Sequence, residues 1–120
     1  MKVRAIDFVV VNVSDLAKAE AFYRETLGME FPLWEDSERW KEFDSPPVAM
    51  ALRLDVESPG VNAAVALAVD DVGAALEELR GKGVKILSGM GESAVCYTAL
   101  IEDPDGNLLL LHQRKDGTAG

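Results

Sequence analysis

Apolar positions along the chain change period in a fixed order, and the order occurs twice. Val, Ile and Phe dominate residues 3–13, and Val, Ala and Leu dominate residues 63–69. Short runs rich in such residues read as strands. A helical spacing follows each run. Leu16, Ala19, Phe22, Tyr23 and Leu27 fall on one stripe, with Lys18, Glu20, Arg24 and Glu25 turned largely outward. Val72, Leu76 and Leu79 form the second stripe, opposed by Glu77, Glu78 and Arg80; both stripes follow the i, i+3, i+4, i+7 pattern of an amphipathic helix. Ser14/Asp15 and Asp70/Asp71 supply side-chain oxygens for the first free N–H groups. Gly28, and Gly81 or Gly83, stop the helices.

Three shorter strands are predicted after each helix. They run near 29–34, 38–43 and 48–55 in the first half, with Ser45-Pro46-Pro47 as the last turn. In the second half they run near 84–88, 94–102 and 107–113, with Asp103-Pro104-Asp105-Gly106 as the hairpin turn. Val13, Asp15, Leu16 and Ala19 align with Val69, Asp71, Val72 and Ala75 at a constant offset of 56. Self-similarity at a fixed offset marks a supersecondary unit used twice. The expected fold is therefore α+β, one domain over residues 1–114 made of two βαβββ repeats (about 1–56 and 62–114). Glu57-Ser58-Pro59-Gly60 links the halves, and residues 115–120 form a flexible tail.

Composition narrows the setting. A chain of 120 residues that is 48% hydrophobic has ample material for a core. The single cysteine, Cys96, forms no internal bridge, which fits a reducing compartment. No apolar run approaches the roughly 20 residues needed to span a bilayer. Asp7 interrupts the only N-terminal stretch that resembles a leader, so a cytoplasmic protein without membrane association is expected. The net charge of −9, from 21 acids against 12 bases with no basic run, argues against nucleic acid as a partner. No P-loop, nucleophile elbow, dinucleotide fingerprint or zinc spacing occurs.

The duplicated unit, with these turns, resembles the vicinal oxygen chelate superfamily, the glyoxalase/bleomycin-resistance/dioxygenase group. The matching residues are Ile6-Asp7-Phe8 through Val13-Ser14-Asp15-Leu16, then Ala21-Phe22-Tyr23-Arg24 through Leu27-Gly28-Met29. Trp40 with Phe43, and Asp103-Pro104-Asp105-Gly106-Asn107 before an apolar strand, match as well. The resemblance implies a curved mixed sheet around a cavity, and pairing of two chains as a homodimer. It also implies a divalent ion held by His, Glu or Gln from four strands. Here those positions fall on Phe8, Ala64, Leu110 and, least firmly placed, near Ala51. Phenyl, methyl and isobutyl groups offer no lone pairs to a cation. No metal and no cofactor are expected, and metal-dependent catalysis falls with them.

Strand alternation then suggests what lines the cavity. Phe8, Val10 and Asn12 share one face, as do Ala64, Ala66 and Ala68, Leu108, Leu110 and His112, and Ala49, Ala51 and Arg53. The alanine row leaves room for a mostly apolar pocket; the competing arrangement has Phe8 and Leu110 filling that space. Trp40, Trp34 and Tyr97 offer flat surfaces for a planar ring, or else pack the core or a dimer contact. Arg53 suits a carboxylate or phosphate, or is an exposed edge residue. His112, the only histidine, suits general acid–base work or ordinary hydrogen bonding.

The expected ligand-binding set is Phe8, Val10, Asn12, Trp40, Ala51, Arg53, Ala64, Ala66, Tyr97, Leu110 and His112. The expected function is metal-free binding of a small, partly aromatic molecule, as in drug sequestration. Two alternatives stay open: a metal-independent lyase or isomerase type enzyme using His112 and Arg53, and a non-catalytic interaction domain with a filled interior.

Overall fold

The structure, a computed structural model, describes residues 2, 4, 7–57, 59, 60 and 64–118. Ile6 of the first motif, the earlier positions 3 and 5 of the first predicted strand, Ala63, Ser58 of the link and the last two tail residues lie outside the described residues. The chain divides into two compact units, Met1–Asn62 and Ala63–Gly120.

The first unit runs β1 (Phe8–Val13), α1 (Leu16–Ala21), one π-helical turn (Phe22–Thr26), β2 (Leu33–Asp36), β3 (Trp40–Phe43) and β4 (Ala49–Leu54). The second runs β5 (Val65–Ala68), α2 (Val72–Gly81), β6 (Ile86–Glu92), β7 (Cys96–Glu102) and β8 (Leu108–Arg114). Each unit is βαβββ, and each makes a four-stranded mixed sheet with its first strand at one edge, parallel to its last. The orders are β1-β4-β3-β2 and β5-β8-β7-β6. The fold is the α+β duplication anticipated from the sequence.

The two helices start in the same way. Asp15 lies extended at φ −149°, ψ 108°, and its Oδ1 accepts the Lys18 N–H at 3.0 Å. Asp71 lies at φ −150°, ψ 107°, and accepts the Ala74 N–H at 2.9 Å. These caps satisfy donors that no intrahelical carbonyl can reach. The first helix then widens: the Leu27 N–H reaches back to the Phe22 carbonyl at 2.9 Å, a five-residue step. Adjacent Phe22 and Tyr23 are both buried there, in edge contact with centroids 5.2 Å apart. The wider turn brings two consecutive aromatic rings towards the same core.

Two strands sit elsewhere than predicted, for a shared reason. Residues 29–32 are not in β2, because helix termination uses their backbone: Met29 N–H bonds the Tyr23 carbonyl, and Arg24 Nη2 bonds the Phe31 carbonyl at 2.8 Å. Likewise Val84 N–H bonds the Leu79 carbonyl of α2 at 3.1 Å, so β6 begins at Ile86 and extends to Glu92 with two register shifts. The turn before β8 follows the predicted chemistry. Asp103, buried, accepts N–H bonds from Asp105 (2.9 Å), Asn107 (2.8 Å) and the Asn107 amide (2.7 Å), and Gly106 takes φ 83°.

In each unit one sheet face is covered by its own helix. Val11 and Val13 of β1, Phe43 of β3, and Met50 and Leu52 of β4 are buried with the α1 stripe. Ala99, Ile101, Leu109 and Leu111 are buried with Val72, Leu76 and Leu79 of α2. The opposite face of each sheet carries the candidate site residues other than Tyr97.

Candidate functional site

Residues paired side by side in a ladder share a face, so the registers define rows. In the first sheet one row reads Asn12–Arg53–Trp40 across β1, β4 and β3, and the next reads Val10–Ala51–Glu42. Phe8 pairs with Ala49 beyond that. Phe8 and Trp40 stand at opposite ends of this patch on strands either side of β4, yet their rings meet edge-to-face, with centroids 5.7 Å apart and planes at 89°. The contact passes over the level of Ala51, whose methyl is 0% exposed although it points away from the helix. Phe8 itself keeps 44% of its surface exposed.

Polar groups edge this aromatic pair. The Arg53 Nε–H donates to Asn12 Oδ1 at 2.8 Å, and Asn12 is buried. The Trp40 indole N–H donates to Glu42 Oε1 at 3.2 Å, so the buried Glu42 carboxylate has a partner. Sequence reasoning missed Glu42, although its place two residues after Trp40 on one strand puts both on one face. On the opposite face Lys41 pairs with Asp36 and with Glu20, and its pKa is held above 10.5, first by the hydrogen bond to Asp36. That charge is turned away from the aromatic patch.

In the second sheet the rows read Ala66–Leu110–Leu100–Ser88 and Ala68–His112–Thr98–Gly91. Ala66, Ala68 and Leu108 are exposed, and Leu110 and His112 half-buried, so this face is apolar and open. Ala64 is also exposed but precedes β5 rather than belonging to it. The flanking row positions of His112 are Ala68 and Thr98, and among the described residues no side chain bonds its imidazole. No carboxylate orients the ring, as a paired acid–base residue would require.

One residue of the expected set belongs elsewhere. Tyr97 pairs with Gln113, and the Gln113 side chain accepts the Val72 N–H of α2 at 2.9 Å. Tyr97 therefore lies on the helix-covered side, with the Lys115 ammonium 5.0 Å above its ring. Strand parity decides this: Tyr97 is odd-numbered beside the buried Ala99 and Ile101, whereas Cys96, Thr98 and Leu100 face the other way. Trp34 is exposed at the β2 edge and touches neither Phe8 nor Trp40 as a ring pair. Arg53 belongs to the inner strand β4, not to an edge. His112 and Arg53 stand on different sheets, each among its own neighbours.

The donor set does not fit a divalent ion. Phe8, Ala51, Ala64 and Leu110 have no ligating atoms, and among the described residues no group of three or more His, Cys, Asp or Glu side chains converges. Nor is any helix among them long and apolar enough to cross a membrane.

These faces and this topology have counterparts. The family model for the Glyoxalase/Bleomycin resistance protein/Dioxygenase superfamily matches residues 5–111. No curated protein matches the chain. Among solved structures, an antibiotic binding protein, TnmS3, from Streptomyces sp. CB03234 is 29% identical with a TM-score of 0.77, over 96% of this chain and 99% of that one. A glyoxalase/bleomycin resistance protein, also from Streptomyces sp. CB03234, is 30% identical with a TM-score of 0.73, over 91% and 100%. A superfamily member from Sphaerobacter thermophilus DSM 20745 is 25% identical, again with a TM-score of 0.73, over 92% and 98%. With a family match across nearly its whole length and the doubled βαβββ order in its sheets, the chain belongs to the glyoxalase/bleomycin resistance protein/dioxygenase superfamily.

Proposed function

We propose that this protein binds a small, partly aromatic molecule without a metal ion, and that it acts by holding the molecule rather than transforming it. The observation that carries the reading is the Phe8–Trp40 pair on the open face of the first sheet. Large apolar side chains left facing outward on a sheet, with polar groups fixed beside them, are the makings of a ligand surface. The exposed alanines and Leu108 of the second sheet offer further apolar surface. Likeness at 29% identity to a protein described as antibiotic binding supports a small, antibiotic-like ligand. Among the described residues no metal donor set converges and no side chain bonds the His112 imidazole, which supports binding over turnover. The reading includes a cytoplasmic homodimer, which sedimentation of the purified protein tests directly.

The functional test is a thermal-shift screen of planar aromatic compounds, antibiotics among them, followed by native mass spectrometry with and without chelator. Retention of at least one compound, unchanged by chelator and weakened by Trp40→Ala, is expected. If no compound is retained, or if chelator abolishes retention, the proposal fails.

A further inference from the structure

The aromatic patch is bordered by a cation that the fold orients and that has no carboxylate partner among the described residues. Arg53 projects from β4, a strand with neighbours on both sides, on the face turned away from α1. Its Nε–H is bonded at 2.8 Å to Asn12, a residue 41 positions away and only 6% exposed. Fixing one nitrogen of the fork restricts the guanidinium plane, and the two terminal nitrogens are left as a parallel pair of donors. That geometry matches the two oxygens of a carboxylate. Among the described residues no acidic side chain lies within ion-pair reach of it. The chain has 21 acids for 12 bases, and Arg24, Lys41, Arg80, Lys82, Lys85 and Lys115 all have carboxylate partners. Lys18 and Arg39 are likewise without an ion pair among the described residues, and what distinguishes Arg53 is the bond to Asn12 that orients it. Its row neighbour is Trp40, one ring of the Phe8–Trp40 pair.

We propose that Arg53 is the anion-recognising group of this surface, and that the ligand is an aromatic acid. Its ring system rests on Phe8 and Trp40, and its carboxylate, or an oxygen of similar acidity, meets the two terminal nitrogens of Arg53. Asn12 is the positioning residue. Glu42, one row along the sheet and already bonded to the Trp40 indole, repels an anion and so restricts it to the Arg53 end. This inference rests on the ring-binding reading above and adds the charge of the ligand to it.

The experiment is calorimetric titration of the full chain with a matched pair of probes, naphthoate and its neutral analogue naphthamide. A bidentate, charge-assisted contact predicts about 10- to 100-fold tighter binding of naphthoate, with the preference shrinking as salt is raised. Arg53→Gln is expected to abolish the preference, with naphthoate affinity falling at least 10-fold further than naphthamide affinity. Asn12→Ala is expected to reduce the preference several-fold, without changing naphthamide affinity, which a general loss of structure would not do. Equal binding of both probes to the wild-type protein, or a preference that survives Arg53→Gln, overturns the role of Arg53 and leaves the ring-binding surface standing. Binding of neither probe overturns the surface itself, and the role of Arg53 with it.

Discussion

Replacing Ala51 with leucine tests the geometry of the aromatic patch at its centre. The Ala51 methyl is fully buried on the side of the sheet that has no helix, because Phe8 and Trp40 meet over its level with centroids 5.7 Å apart. Leucine adds three carbons where there is room for none. Forcing extra methylenes into a packed site costs about 1–3 kcal/mol, and separating an edge-to-face aromatic pair forfeits roughly 0.5–1.5 kcal/mol more. Relief comes from Phe8, which is 44% exposed and can swing outward. The net loss is therefore expected at about 1.5–2.5 kcal/mol, the lower part of that combined range. Ala66→Leu is the control, since Ala66 lies in the corresponding row of the second sheet, at the place Val10 holds in the first, and is exposed. It is expected to stay within about 0.5 kcal/mol of wild type, as surface changes do. Urea unfolding followed by far-ultraviolet circular dichroism gives both values, with an unchanged m-value confirming a stability effect. If Ala51→Leu is as harmless as Ala66→Leu, the rings do not close over position 51 and the reasoning fails.

Two further outcomes follow from groups outside the patch. Asp103→Ala removes the acceptor of three N–H bonds in a buried turn; with unsatisfied donors costing about 1–3 kcal/mol each but only partly additive, a loss of about 2–4 kcal/mol is expected in urea unfolding. Lys41→Gln reports on the ion pairs to Asp36 and Glu20, which raise the folded-state pKa of Lys41 above 10.5. A raised lysine pKa adds stability that is fully present below 10.5 and lost as pH climbs through the folded value. Because Asp36 is 56% exposed, the gap between wild type and variant is expected at about 1 kcal/mol or less at neutral pH, closing in strong alkali. A gap that instead widens with rising pH contradicts the assignment.

How far the chain could be read in advance depended on whether the deciding interactions were local. Caps at Asp15 and Asp71, stops at Gly28 and Gly83, and the Asp103–Asn107 turn rely on contacts within a few residues, and their identities announce them. Strand limits were less legible. Nothing in residues 29–32 reveals that Arg24 will bond the Phe31 carbonyl, and the start of β6 depends on Val84 capping α2. Face assignment succeeded where one strand carried its own alternation, as in Phe8, Val10 and Asn12 against Val11 and Val13. It failed at Tyr97, where aromatic character was weighed and parity was not. Glu42 was passed over because an isolated glutamate reads as solvent-facing, and only the partner two residues earlier explains its burial.

The internal repeat separates scaffold from function more sharply than either unit does alone. At the offset of 56, the helix-facing residues Val9, Val11 and Val13 of β1 correspond to Val65, Leu67 and Val69, all apolar and of similar size. On the other face Phe8, Val10 and Asn12 correspond to Ala64, Ala66 and Ala68. The ladder partners change in the opposite sense: Val10 pairs with Ala51, whereas Ala66 pairs with Leu110. Each sheet thus combines one large and one small residue on its open face, but places the large one on a different strand. Cross-strand neighbours share a limited space, so the exchange conserves volume while reshaping the surface. The polar row differs as well. Asn12 holds Arg53 in the first unit, while the equivalent Ala68, beside His112, has no polar side chain to offer. The two open faces therefore differ in chemistry, with a bonded Asn12–Arg53 pair in the first unit and alanines beside Leu110 in the second.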